Sequence, residues 1–225
     1  MTIVKVGGKQ EAATVSQHIE AFLLKYRKVI LSFAAAIVIG AAAVGIAFAV
    51  TETVRKKGLE RIDRIANALV KANEDDTAAS QTALTELESL TAAKNIVGAR
   101  ANMLKAEILF NDKKFDEARA AWLKAADAGK KSYIAPLSWF NAAVCSEEIG
   151  DFDAAFEWYQ KAGNAKDWTQ KTHALFNAGR VKDEAGGYEA AAKLYQELNE
   201  AYAGDSWANI AMTRVLTLRA EGKIQ

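Results

Sequence analysis

The chain has 225 residues, enough for one ordinary domain plus a membrane segment. Its 29 Lys+Arg and 28 Asp+Glu nearly cancel, and the part after residue 50 holds 24 basic against 26 acidic groups. That balance argues against nucleic-acid binding, which needs a strong positive field over the contact face. The single cysteine, Cys145, allows neither an intramolecular disulfide nor a thiolate metal site, and one proline among many alanines favours helix throughout.

Residues 1–28 read as a short basic N-terminal segment, with Lys5, Lys9, Lys25, Arg27 and Lys28 against Glu11 and Glu20. Residues 29–50 (VILSFAAAIVIGAAAVGIAFAV) carry no charge, and Ser32 is their only polar side chain. As a helix this run rises roughly 33 Å, enough to cross the hydrocarbon core of a bilayer. In lipid the backbone must bond internally, so a transmembrane helix is expected. Ala47-Phe48-Ala49 is an A-x-A site at which a leader could be cut, but leader cores run about 7–15 residues, shorter than this one. Lys25, Arg27 and Lys28 flank one end of the span and Arg55, Lys56, Lys57, Arg61 and Arg64 the other. Taken alone, the positive-inside rule therefore leans towards a cytoplasmic C-terminal part. Ala41, Gly45 and Ala49 recur on one face and form a candidate helix–helix contact, hence a candidate route to a homo-oligomer.

Residues 51–97 are expected to hold a juxtamembrane helix and a degenerate repeat. Within them, 58–73 places Ile62, Ile65, Ala66 and Leu69 on one face, and 78–92 aligns Leu84, Leu87 and Leu90. Three segments then match one another. Phe115, Phe152 and Tyr188 stand 37 and then 36 residues apart. Each is followed at the same spacings by a small and then a large residue: Ala118 and Trp122, Ala155 and Tyr159, Ala191 and Tyr195, with Ala125, Ala162 and Leu198 beyond. A period of this size signals stacked helical hairpins. The helices before them carry Trp139-x-x-Ala142-Ala143 and Leu175-x-x-Ala178-Gly179, reduced to Ala106 in the first unit. The units are set at 99–132, 136–169 and 172–205, together 99–205. A last helix in 206–225, opened by Asp205-Ser206, buries one side and presents Arg214 and Arg219 on the other, as a capping element should.

These elements resemble the tetratricopeptide repeat family: W-x2-L-G, G-x-Y-x2-A and aromatic-x2-A stand at their expected mutual spacings, although the family's closing proline is missing from all three units. The fold expected is all-α, a transmembrane helix followed by a helical-hairpin solenoid of three clear repeats with flanking helices. The layout is similar to bacterial membrane-anchored tetratricopeptide proteins such as the ancillary subunit of the Sec translocon. That likeness implies repeats in the periplasm, a single pass through the inner membrane, and partners such as the translocon or chaperones. Large C-terminal domains can cross against the charge rule.

Chemistry-bearing residues are sparse. His18 and His173 are far apart in sequence and have no partner at metal-ligand spacing; Cys145 lies among Ala142, Ala143 and Ile149 and reads as a core residue. Glu74-Asp75-Asp76 and Glu147-Glu148 read as solvated helix ends. Neither an enzyme nor a cofactor is expected. By position, the resemblance points to a peptide groove lined by Arg100, Met103 and Glu107, then Leu137, Phe140, Asn141 and Val144, then His173, Phe176, Asn177 and Arg180. In this groove Met103, Phe140 and Phe176 would form an apolar strip. Ordinary packing between units accounts equally well for the two rings. Asn141 matches one position of the family's carboxylate clamp, but Met103 and Glu107 replace its first Lys and Asn, so no clamp is expected. The function expected is a membrane-anchored interaction scaffold in secretion or envelope assembly. The alternative is a structural subunit of a larger envelope machine such as a flagellar or secretion apparatus.

Overall fold

The structure, a computed structural model, describes residues 8–72 and 76–225, with side chains from residue 15. Lys5, Glu74 and Asp75, and the side chains of Lys9 and Glu11, lie outside the described part. Among the described residues every regular element is a helix. The chain divides into two compact units, Met1–Val54 and Arg55–Gln225.

The first unit is formed by the greater part of α1 (Gly8–Lys71). Its apolar side chains, Val29 to Val54, are exposed, and the helix is long and apolar enough to cross a membrane. The few hydroxyls fold back on their own helix: Ser32 donates to the Lys28 carbonyl, Thr51 to Ala47 and Thr53 to Ala49, each at 2.8 Å. Such back-bonding satisfies these three hydroxyls within the helix itself. Ala41, Gly45 and Ala49 lie on this exposed helix, and a Cβ added at Gly45 would meet nothing within 4 Å. The sequence reading separated the apolar run from a following juxtamembrane helix. The structure instead carries one helix through both: no proline interrupts the stretch, and Gly58 stays helical where it packs against Val97.

The second unit begins with the end of α1 and continues through α2 (Thr77–Thr91), α3 (Ile96–Asn111), α4 (Phe115–Ala128), α5 (Ile134–Glu148), α6 (Phe152–Gly163), α7 (Lys171–Glu184), α8 (Tyr188–Ala201) and α9 (Ser206–Ala220). Asp76, Asn95, Asp151 and Asp205 cap the starts of α2, α3, α6 and α9 by accepting from backbone N–H groups. Ile62 and Ile65 of α1 pack with Ala83 and Leu87 of α2 and Val97 of α3. Gly58 makes that approach close: a Cβ there would sit 2.8 Å from the Val97 side chain.

From α3 onward the chain forms hairpins, α3–α4, α5–α6 and α7–α8, in which each helix contacts the next and the first helices touch across units, α3 with α5 and α7 with α9. The repeated residues explain the packing. Ala118, Ala155 and Ala191 are fully buried, and Trp122, Tyr159 and Tyr195 are nearly so. A small residue lets two helices close up, and the aromatic one turn later fills the groove beside the contact. Between the helices of a hairpin the chain enters the left-handed region at Lys113 (φ 60°), Gly150 (φ 75°) and Gly186 (φ 82°). A Cβ would meet nothing at the two glycines, so backbone conformation and not space favours glycine there.

Candidate functional site

The groove candidates lie on the first helices α3, α5 and α7, and α9 packs beside α7. Phe140 and Phe176 are each half-buried and belong to a continuous set of rings. Phe140 lies 5.1 Å from Tyr159, 6.0 Å from Trp168 and 5.0 Å from His173. His173 stacks on Trp207 at 3.9 Å and 8°, and Trp207 lies 5.2 Å from Phe176, which meets Tyr195 at 5.6 Å. The rings tie α5, α7 and α9 together. Burial first, and the Arg180 charge second, push the His173 pKa down. A neutral imidazole suits its place between two rings. Met103, the third member of the expected strip, packs apart from these rings, against the clusters around Trp122 and Ile134.

The polar candidates are already engaged. Arg180 donates from Nε to Asn177 at 2.9 Å, from Nη1 to Glu184 at 2.7 Å and from Nη2 to Glu147 at 2.5 Å, and Glu147 also accepts from the Tyr159 hydroxyl. The acceptors crowded round it raise the Arg180 pKa against the effect of burial. The guanidinium is therefore a strap from α7 to α5. Asn177 is buried, and Asn141 donates to the Leu137 carbonyl at 3.0 Å. Arg100 reaches back to Asp63 of α1 at 2.8 Å. Leu137 and Val144 are half-buried on α5.

Two hollows open on this side. One, of about 670 Å³, lies between α7, α8 and α9, bordered by Phe176, Arg180, Tyr195, Ile210, Arg214 and Lys223. Its cations are paired: Arg214 grips Asp183 at 2.6 and 3.0 Å, and Lys223 lies 3.0 Å from Glu221. The other, of about 440 Å³, lies between α3, α4 and α5 and is lined by Glu107, Phe110, Asn111, Trp122, Asn141 and Val144. Glu107 is exposed, yet the surrounding protein pushes its carboxyl pKa up. Both sizes suit side chains of a bound segment.

Sequence reasoning missed Trp207, Asp183 and the Phe110–Trp122 pair of walls. Trp207 follows the last repeat and reaches His173 only through the contact of α9 with α7, so no spacing within a unit betrays it. Among the described residues no group of three His, Cys, Asp or Glu could hold a metal ion. Cys145 is fully buried and burial pushes its thiol up to about 12, the opposite of an activated nucleophile.

Comparison with known proteins agrees with this architecture. The family model described as "Tetratricopeptide repeat" matches residues 65–133 and 114–167. The matched stretch starts in the last turns of α1 and takes in α2, so it covers all but the start of the degenerate first hairpin; α7 and α8 lie beyond it. A "TPR repeat-containing protein" of Treponema pallidum (strain Nichols) is 27% identical over 124 residues, 55% of this chain and 52% of that protein. The chain thus spans about half the length of the curated relative it matches.

Proposed function

We propose that this chain, which carries tetratricopeptide repeats, is a membrane-anchored scaffold that holds segments of other proteins along the α3–α5–α7 side of its repeat array. Tetratricopeptide repeats bind other proteins or peptides as a class. The observation that carries the reading is the half-exposed ring set of Phe140, His173, Trp207 and Phe176 between two hollows. Rings held in place by neighbours present apolar area at little entropic cost, which is what interface anchors need. The apolar part of α1 supports a membrane anchor; the likeness of the layout to bacterial membrane-anchored tetratricopeptide proteins is what supports the inner membrane for that anchor, the periplasm for the repeats and the role in secretion or envelope assembly. A second reading rests on the exposed small residues Ala41, Gly45 and Ala49. A seam there would make the chain a self-assembling subunit of a larger envelope machine.

Affinity purification of the full chain from detergent-solubilised membranes separates the two. Diverse clients support the scaffold, and one stoichiometric complex supports the subunit. Phe140→Ala and Phe176→Ala are each expected to weaken client recovery, corresponding to about 1–3 kcal/mol of binding. Thermal unfolding of the same variants is measured alongside, because truncating a packed ring also costs stability. Unchanged recovery with intact folding would sink the groove and move attention to the opposite face or the membrane helix.

A further inference from the structure

Many of the charged residues along the repeat array are paired. Arg100 pairs with Asp63, Lys105 with Glu88, Lys114 with Asp112, Arg119 with Asp116 and Asp151, Arg180 with Glu147 and Glu184, and Arg214 with Asp183. Glu107, which lines the recess between α3, α4 and α5, makes no salt bridge among the described residues, unlike Asp183 and Glu184 at the other hollow.

Its position makes that unusual. Glu107 lies four residues before Asn111, the last residue of α3, near the negative end of the helix dipole. A carboxylate there is disfavoured, and α3 has no basic residue in its last turn to offset it. The residue cannot be explained as helix stabilisation or as half of a salt bridge. Its raised pKa reports the same unfavourable setting: partial desolvation by the surrounding protein, with no cation to offset it, penalises the ionised form of this exposed side chain.

The walls of the recess supply what the carboxylate lacks for recognition. Phe110 and Trp122 place aromatic surface beside it, and Asn111 and Asn141 bring amide groups. One N–H of the Asn141 amide is given to the Leu137 carbonyl, and its oxygen remains an acceptor for a ligand. A carboxylate, aromatic walls and neutral acceptors in one recess form a receptor for an ammonium or guanidinium group, through an ion pair, cation–π contact and hydrogen bonds. The hollow at α7–α9 also carries carboxylates and rings, but its Asp183 and Glu184 are already held by Arg214 and Arg180.

We propose that the segment held by the array carries a Lys or Arg side chain that enters the recess between α3, α4 and α5 and pairs with Glu107. This inference rests on the groove reading above and specifies the chemistry of the bound segment: basic among apolar residues, the reverse of an acidic chain end.

The test uses the full chain in detergent micelles and a phage-displayed library of random peptides as probe. Selected peptides are synthesised in pairs, with the basic residue kept or replaced by Gln, and measured by fluorescence anisotropy. The expected result is a shared Lys or Arg whose replacement weakens binding about tenfold to the wild-type chain. Against Glu107→Gln that difference should shrink to less than about twofold, since the partner of the interaction is gone. Asn111→Arg should have the same effect, because a cation four residues after Glu107 occupies the carboxylate from within. Peptides that bind and respond to Phe176→Leu, but show no basic preference or the same penalty in all variants, would overturn this inference and leave the groove standing. Failure to select any peptide, or selected peptides indifferent to both Phe140→Leu and Phe176→Leu, would remove the groove reading and this inference with it.

Discussion

Lys113 shows how one residue can depart from its repeat and remain readable. Gly150 and Gly186 occupy the left-handed position that ends the first helix of their units, and Lys113 occupies it in the first unit at φ 60°. An L-residue with a Cβ costs roughly 1–2 kcal/mol in that region, and glycine does not. Lys113→Gly keeps the backbone bonds that close the turn, such as Lys114 N–H to the Leu109 carbonyl at 2.8 Å. It also adds unfolded-state entropy, so the net expectation is a gain of about 0.5–1 kcal/mol in chemical denaturation. A loss would mean that the Lys113 side chain contributes something the turn geometry does not reveal. His173 is the opposite case. Its sequence position at a repeat start suggested a groove contact, and the structure gives it a stacking partner, Trp207, from a helix that no repeat spacing includes.

At the scale of helices, the hairpins were legible because their cause is local and repeated: an aromatic, an alanine three residues on, an aromatic four further. The structure starts α4 at Phe115, α6 at Phe152 and α8 at Tyr188, the three residues that carry the period. The unbroken course of α1 was not legible, since a change from apolar to charged residues looks like a boundary while a helix needs a breaking residue to stop. The straps between units were hidden for another reason. Glu147 with Arg180, and Asp183 with Arg214, stand 33 and 31 residues apart, and only the stacking of hairpins brings them together. The register itself is testable. Ala155 and Ala191 are fully buried where paired helices meet, while Ala154 is half-buried and Ala190 exposed. Ala155→Leu or Ala191→Leu should overpack that contact and cost roughly 1–3 kcal/mol. Ala154→Leu and Ala190→Leu should cost much less by the same thermal unfolding. Equal costs at neighbouring positions would mean that the helices face otherwise.

For the molecule as a whole, the proposed anchor raises the question of which side of a membrane the repeats work on, and two physical arguments pull apart. The basic residues after the apolar run, Arg55 to Arg64, favour retention in the cytoplasm, whereas a long C-terminal region can cross regardless of such charges. A single engineered thiol can decide between them, because the native one is silent: Cys145 is fully buried and its thiol is pushed up to about 12. Glu117 is exposed on α4, away from the recess and the ring set, so Glu117→Cys should react without disturbing either. In intact spheroplasts a membrane-impermeant maleimide is expected to label this variant fully, as a periplasmic array requires, and to leave the unmodified chain unlabelled. Labelling only after lysis would place the repeats in the cytoplasm and overturn the envelope role along with the side. Alkaline extraction of the labelled membranes extends the result to the leader alternative. A chain held by α1 stays with the lipid, because its exposed apolar side chains have no protein surface to cover them. A chain cut after Ala49 would be released, and the anchor would then be lost from the mature protein.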